Sequence, residues 1–171
     1  MAFGQSSYAQ EFGPPYAGQM DEGNPKRITS ILNKTGGSIR AGLAVKLGAV
    51  AGEAAALAVT GDNIQGVVAL EMNTDPDQLA GTANYAEGVE MVLLEQGPVW
   101  VPVDFAVAIG DPVYVRFQAG AGTVNLPGAF GNQADAASCR LVAGAKWLSA
   151  QATAGGTAKL LINALTDAAT R

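Results

Sequence analysis

The chain has 171 residues, enough for one domain with its own hydrophobic core. Its formal net charge is −5 and its ten Lys and Arg residues are scattered, so it lacks the clustered positive face that nucleic acid binding requires. Histidine is absent and Cys139 is the only cysteine, which excludes Ser/His/Asp and Cys/His catalytic sets, an intrachain disulfide and a structural zinc site. We therefore predict no cofactor, and we interpret Cys139 as a buried structural thiol.

The surface is expected to be unusually neutral. Charged residues make up 15% of the chain, against roughly a quarter in an ordinary soluble domain. Either Ser, Thr, Asn, Gln and Ala form a neutral surface, or partner proteins cover part of it. No segment approaches the roughly 18 apolar residues of a membrane-spanning helix, and the N-terminus lacks the basic and apolar regions of a signal peptide. These observations predict synthesis in a cytoplasm and no membrane partner.

Residues 1–27 form the first distinct segment. Glycine and proline interrupt it repeatedly, and Gly13-Pro14-Pro15 prevents a continuous helix. It is also rich in aromatic rings, each of which can bury on the order of 150–250 Å². We predict an extended arm that contacts a neighbouring subunit or a partner, with folding back onto its own domain as the alternative. The candidate interface residues are Phe3, Tyr8, Phe12, Tyr16 and the adjacent basic pair Lys26 and Arg27.

Residues 28–171 alternate between short apolar strands and turns, which predicts an all-β domain. We expect a compact β-barrel or β-sandwich (β-tulip-like) with short helical pieces, and residues 49–59 are the segment considered for a helix. Pro102 cannot donate a ladder hydrogen bond, so its strand is predicted to be at an edge or bulged. The predicted strands are residues 38–39, 43–47, 66–72, 89–94, 99–103, 113–117, 123–126, 140–143, 145–148 and 159–163, with a hairpin turn at Gly155-Gly156.

Few residues are candidates for a catalytic or ligand-binding site. The loop at residues 73–77 contains Asp75 and Asp77 but lacks the glycine and glutamate spacing of an EF-hand, which favours a turn. Trp100 and Trp147 lie in apolar strands, which favours core packing over a sugar-binding platform. Three kinds of function remain open at this point: a trimeric adhesin or carbohydrate-binding module, an enzyme that uses carboxylates alone, and a homo-oligomeric scaffold.

Several strand-and-turn motifs follow one another in a distinctive order. They are GVVALEM at 66–72, GPVWVPV at 97–103, GDPVYV at 110–115 and GAKW at 144–147, followed by the stretch 155–162. In this order, and in its tryptophan placement, the chain resembles the head decoration or cement proteins of tailed bacteriophages over about residues 28–163. The resemblance implies a non-enzymatic, often trimeric protein on the capsid exterior, bound to the major capsid protein lattice at capsomer junctions. It also implies an N-terminal arm that extends to the shell or to a neighbour.

Overall fold

The computed structural model describes residues 15–21, 24–70, 83–120, 122–135 and 137–163. Within these ranges the chain forms twelve strands and no helix, which confirms the all-β prediction and leaves no helix able to span a membrane. The strands are β1 (Arg27–Asn33), β2 (Ile39–Arg40), β3 (Ala44–Leu47), β4 (Glu53–Ala56), β5 (Gly66–Val68), β6 (Asn84–Tyr85), β7 (Glu90–Pro102), β8 (Tyr114–Arg116), β9 (Phe130–Gly131), β10 (Cys139–Leu141), β11 (Ala145–Trp147) and β12 (Thr157–Ile162).

The largest sheet has seven strands in the order β1-β4-β3-β5-β7-β12-β11. Strand β1 pairs with β4 in parallel and also with β7 in antiparallel orientation. The pairings β1–β4–β3–β5–β7–β1 therefore form a closed circuit of five strands. A three-stranded sheet (β10-β8-β9) and a two-stranded sheet (β2-β6) complete the fold.

Strand β7 serves two hydrophobic cores. Met91 and Leu93 belong to a cluster with the buried side chains of the strand circuit, whereas Val99 and Val101 pack with β12 and the three-stranded sheet. Side chains alternate between the faces of a strand, so Leu94 and Val99 can share one core only if the alternation is interrupted between them. The pairing with β1 skips Glu95, and Gly97 has a φ of +126°. This irregularity acts as a β-bulge and redirects the second half of β7.

The position of Pro102 agrees only in part with its prediction. It ends β7, which is bulged as expected, but β7 lies inside the seven-stranded sheet and pairs with β12 there. Trp100 lies two residues before Pro102, so the backbone groups of both residues point to the same side of β7. The backbone of Trp100 forms hydrogen bonds with Gly18 and Gln19 instead of with β12. The nitrogen atoms of Pro98 and Pro102 therefore fall on the side of the N-terminal segment, where a missing donor does not break the ladder with β12.

Three local predictions are wrong. Residues 49–59 contain a turn and β4 instead of a helix, because Gly52 adopts a φ of +85° and β4 pairs with β1 and β3. Residues 123–126 form no strand, since the backbone N–H groups of Val124 and Asn125 donate to the Asp104 side chain. The predicted strands 89–94 and 99–103 are one continuous strand, β7. The predicted hairpin turn is confirmed: Gly155, with a φ of +81°, lies in the connection between antiparallel β11 and β12.

Candidate docking surface

The described part of the N-terminal segment, residues 15–21, lies on its own domain along β7. The Gly18 N–H donates to Trp100 O (2.7 Å), and the Trp100 N–H donates to Gln19 O (2.9 Å). Gly18 has a φ of +82°, and a Cβ there would lie 2.7 Å from the Ala41 Cβ, so the close approach requires glycine. For these residues, folding back onto the domain is what the structure shows. Phe3, Tyr8 and Phe12 lie outside the described residues.

The structure places three of the predicted interface residues around this segment. Tyr16 is exposed, and its backbone N–H donates to the Gln19 side chain at 3.2 Å. Lys26 is exposed and lines a surface cavity. Arg27 is the first residue of β1, and its Nε lies 2.6 Å from Glu95 Oε2. Tyr16 and Lys26 therefore have side chains available at the surface, and Arg27 is also largely exposed although it pairs with Glu95.

The cavity of about 300 Å³ beside Lys26 contains an aromatic residue that the sequence interpretation had assigned to the core. Trp100 is half-buried in it, with Lys159 Nζ 5.9 Å from the centroid of its ring. Lys159 also forms an ion pair with Asp21 of the N-terminal segment. The alternation of β7 explains the position, because Val99 and Val101 occupy the core face and Trp100 must point away from it. The remaining lining residues are Gln19, Met20 and Leu70.

The two tryptophans give little support to a sugar-binding surface. Trp147 is 2% exposed and belongs to the core, which confirms the core interpretation for this residue. Trp100 has the Lys159 ammonium over its ring and hydrogen-bonded backbone on one side. A sugar ring stacks on an open aromatic face, and the Lys159 ammonium lies over one face of the Trp100 ring.

A buried ion pair, which sequence reasoning missed, supports the loop at residues 122–128. Arg116 Nε donates to Asp104 Oδ2 at 2.6 Å, and both side chains are almost completely buried. Asp104 Oδ1 accepts the backbone N–H groups of Val124 (3.1 Å) and Asn125 (2.8 Å). The Gly128 N–H donates to Arg116 O, so both ends of this loop are attached to the pair. The sequence spacing of Asp104 and Arg116 contains no signal for this contact, which only the docking of β8 beside the end of β7 creates.

Cys139 is half-buried in β10, where we expected a buried thiol. Burial raises the pKa of its thiol, an effect that the charge of Arg116 opposes only in part. No group of three or more metal-ligating Cys, Asp or Glu side chains occurs among the residues that the structure describes.

We expect iodoacetamide to alkylate Cys139 several-fold more slowly at pH 8 than an exposed thiol, because the thiolate is the reacting form and the raised pKa keeps it scarce. The rate should rise with pH above 8. A Cys139→Ser, Val50→Cys chain provides the exposed reference, since Val50 lies on an open turn. Equal alkylation rates for the two thiols, measured by mass spectrometry, would contradict the expectation.

The sequence matches the phage structural cement protein family, described as structural cement protein (E217 gp24/Pam3 gp6), over residues 3–163. The chain belongs to this family. A chain from the capsid of Myoviridae phage XM1 has the same fold, with a TM-score of 0.70 and 18% sequence identity over 97% of this chain and 100% of that one. No curated protein sequence matches the chain. The cement protein is accordingly a structural virion protein that binds and stabilises the phage capsid, which confirms the resemblance drawn from its motifs.

Proposed function

We propose that this cement protein binds the outer surface of the capsid at junctions between capsomers, as a homotrimer. The observation that carries the proposal is the family match over residues 3–163. A protein that binds the assembled lattice but not its separate subunits stabilises the lattice by its binding free energy. Three copies acting together would turn weak contacts into avid attachment. The protein would be made in the host cytoplasm and reside on the virion exterior.

The ion pairs among the described residues support a protein partner over nucleic acid. Arg27 pairs with Glu95, Lys46 with Asp62, Arg116 with Asp104 and Lys159 with Asp21. Burial alone would raise the pKa of Asp62, but hydrogen bonds from Lys46 and two backbone N–H groups lower it, so the carboxylate stays charged. These four of the ten cations are already paired within the chain and are less available to neutralise phosphates. We propose on these grounds, and on the absence of histidine, that the protein has neither a nucleic acid partner nor an enzymatic activity.

We further propose that the chain divides into an arm, residues 1–27, and a body, residues 28–171, whose circuit of five strands closes as a small barrel. Thr157 Oγ1 donates to Pro15 O at 3.0 Å, so the first described residue of the arm lies beside the start of β12. Fourteen extended residues span at most about 50 Å, enough to reach a neighbouring subunit or the shell. In this proposal Phe3, Tyr8 and Phe12 anchor the arm, while Tyr16, Lys26 and Arg27 contact the partner near its root.

Deletion of residues 2–14 tests the arm. We expect the truncated protein to keep its thermal midpoint, because the hydrogen bonds of residues 15–21 with β7 remain. Its affinity for capsids, measured by co-sedimentation, should fall at least about tenfold, since burying even one large apolar side chain is worth about 1.5–3 kcal/mol. A full-length chain with Phe3, Tyr8 and Phe12 replaced by serine is the matched control for arm length.

The outcomes separate the two parts of the proposal. Undiminished decoration by the truncated protein would refute the arm and leave the cement function intact. A full-length protein that does not co-sediment with capsids would refute capsid binding itself. Native mass spectrometry of the free protein tests the trimer independently.

A further inference from the structure

The uncharged stretches of the chain include 15–20, 105–110, 117–134 and 147–158. They are far apart in sequence, and each on its own is an ordinary neutral loop or strand end. Charged residues are depleted at the cores of protein interfaces. The stretches become informative because the fold brings parts of all of them together.

Direct contacts join the four stretches. Thr157 Oγ1 donates to Pro15 O, and Gly155 lies against Thr123, where an added Cβ would come 2.9 Å from Thr123 Cγ2. The backbones of Val107 and Gln151 exchange two hydrogen bonds of 2.8 and 2.9 Å. The exposed residues of this surface, which we call the neutral face, include Tyr16, Ala106, Ile109, Thr123, Thr153 and Gly155.

Ile109 projects from a turn within the neutral face. It is 68% exposed, the highest value among the large hydrophobic residues that the structure describes. The turn is held in place because Asp111 Oδ2 accepts hydrogen bonds from the Ala108 N–H (2.9 Å) and from Asn132 Nδ2 (2.7 Å). The Ala108 N–H in particular lowers the pKa of Asp111, so the carboxylate remains an acceptor in mildly acidic solution. An apolar side chain on a turn that is already ordered loses little entropy when a partner covers it.

Val89, another exposed apolar residue, has different surroundings. Val89 lies between Glu87 and Glu90, and the Glu87 carboxylate accepts hydrogen bonds from Gly36 and Gly37. Single exposed hydrophobic residues are common on protein surfaces and need no explanation. The neutral face differs because an exposed apolar side chain, an ordered turn and four uncharged stretches occur together, and the carboxylate on this turn, that of Asp111, is engaged by Ala108 and Asn132.

We propose that the neutral face is the part of the body that docks on the capsid, against an uncharged protein surface of the shell, with Ile109 as its anchor. The inference rests on the proposed function and adds the contact surface to it. The described part of the chain begins at Pro15, which Thr157 holds at this face. If arm and body bind the same shell, the face from which the arm leaves must be turned towards it.

The substitution Ile109→Asp tests the proposal by placing a charge at the proposed anchor. We expect capsid affinity in co-sedimentation to fall at least about tenfold, because the carboxylate would be desolvated against an uncharged surface. Val50→Asp is the matched control: Val50 is 59% exposed on the β3–β4 turn, outside the neutral face, and its substitution should leave affinity unchanged. Ala108→Arg provides a second charge on the same turn should Ile109→Asp fail to fold.

Native mass spectrometry and circular dichroism accompany the binding assay. Loss of capsid binding with unchanged oligomer mass and unchanged thermal midpoint supports the proposal. Unchanged binding by folded Ile109→Asp and Ala108→Arg proteins overturns it, and so does a change in oligomer mass, which would assign the face to contacts between copies. Absence of binding by the unsubstituted protein would instead overturn the cement function on which the inference rests.

Discussion

Replacing Arg116 with methionine is expected to lower the free energy of unfolding by about 3–5 kcal/mol. Methionine keeps much of the apolar stem but leaves the Asp104 carboxylate buried without its cation. The effective dielectric around a buried pair is lower than at the surface, so both the attraction and the penalty for an unpaired charge are larger. Urea unfolding at fixed protein concentration measures the change.

Arg27→Met is the matched control for Arg116→Met. Both arginines place Nε 2.6 Å from a carboxylate oxygen, but the Arg27 side chain is 73% exposed whereas that of Arg116 is 2% exposed. Exposed pairs contribute about 0–1 kcal/mol, so Arg27→Met should cost no more than that. Similar losses for the two variants would mean that burial does not determine the strength of these pairs, contrary to the argument.

Gly128→Ala is expected to destabilise the protein by about 2–5 kcal/mol. Gly128 has a φ of +89°, a conformation that costs an L-residue about 1–2 kcal/mol. An added Cβ would also lie 2.4 Å from the backbone oxygen of Ala44, which cannot move without disturbing β3. Relief of such a clash in a packed interior typically costs about 1–3 kcal/mol more.

Gly36→Ala is the control that separates the cost of the positive φ from the cost of the steric clash in Gly128→Ala. Gly36 has nearly the same φ, +87°, but nothing lies within 4 Å of an added Cβ. Gly36→Ala should therefore lower the free energy of unfolding only by the conformational cost, about 1–2 kcal/mol. Equal losses at Gly36 and Gly128 in urea unfolding would show that the contact with Ala44 is unimportant.

The Arg116→Met and Gly128→Ala substitutions both affect the loop at residues 122–128. Asp104 accepts backbone hydrogen bonds from Val124 and Asn125, and Gly128 donates to Arg116 O. The loop at residues 122–128 contributes Thr123 to the neutral face. Disruption of the ion pair should therefore weaken capsid binding as well as stability, whereas Gly36→Ala, outside the neutral face, should affect stability alone.

Much of the strand content could be predicted because alternation is a local property. The predicted strands at 43–47, 113–117 and 159–163 overlap β3, β8 and β12, and in β12 the buried residues Ala158, Leu160 and Ile162 alternate with partly exposed ones. The helix considered for residues 49–59 was wrong because a positive φ at Gly52 and pairing partners far along the chain determine the conformation there. Trp100 was assigned to the core although its valine neighbours already occupied the core face, so this error was avoidable from the sequence.

The sequence alone determined that catalysis by histidine and an intrachain disulfide are excluded, because the chain has no histidine and one cysteine. It also determined the all-β class and, through the order of its motifs, the family. Only the tertiary structure decided that β7 supplies two cores, that Asp104 and Arg116 meet in the interior, and that four neutral stretches share one face. Those features depend on contacts between residues distant in sequence, and such contacts are set by how strands pair and bend, not by local propensity.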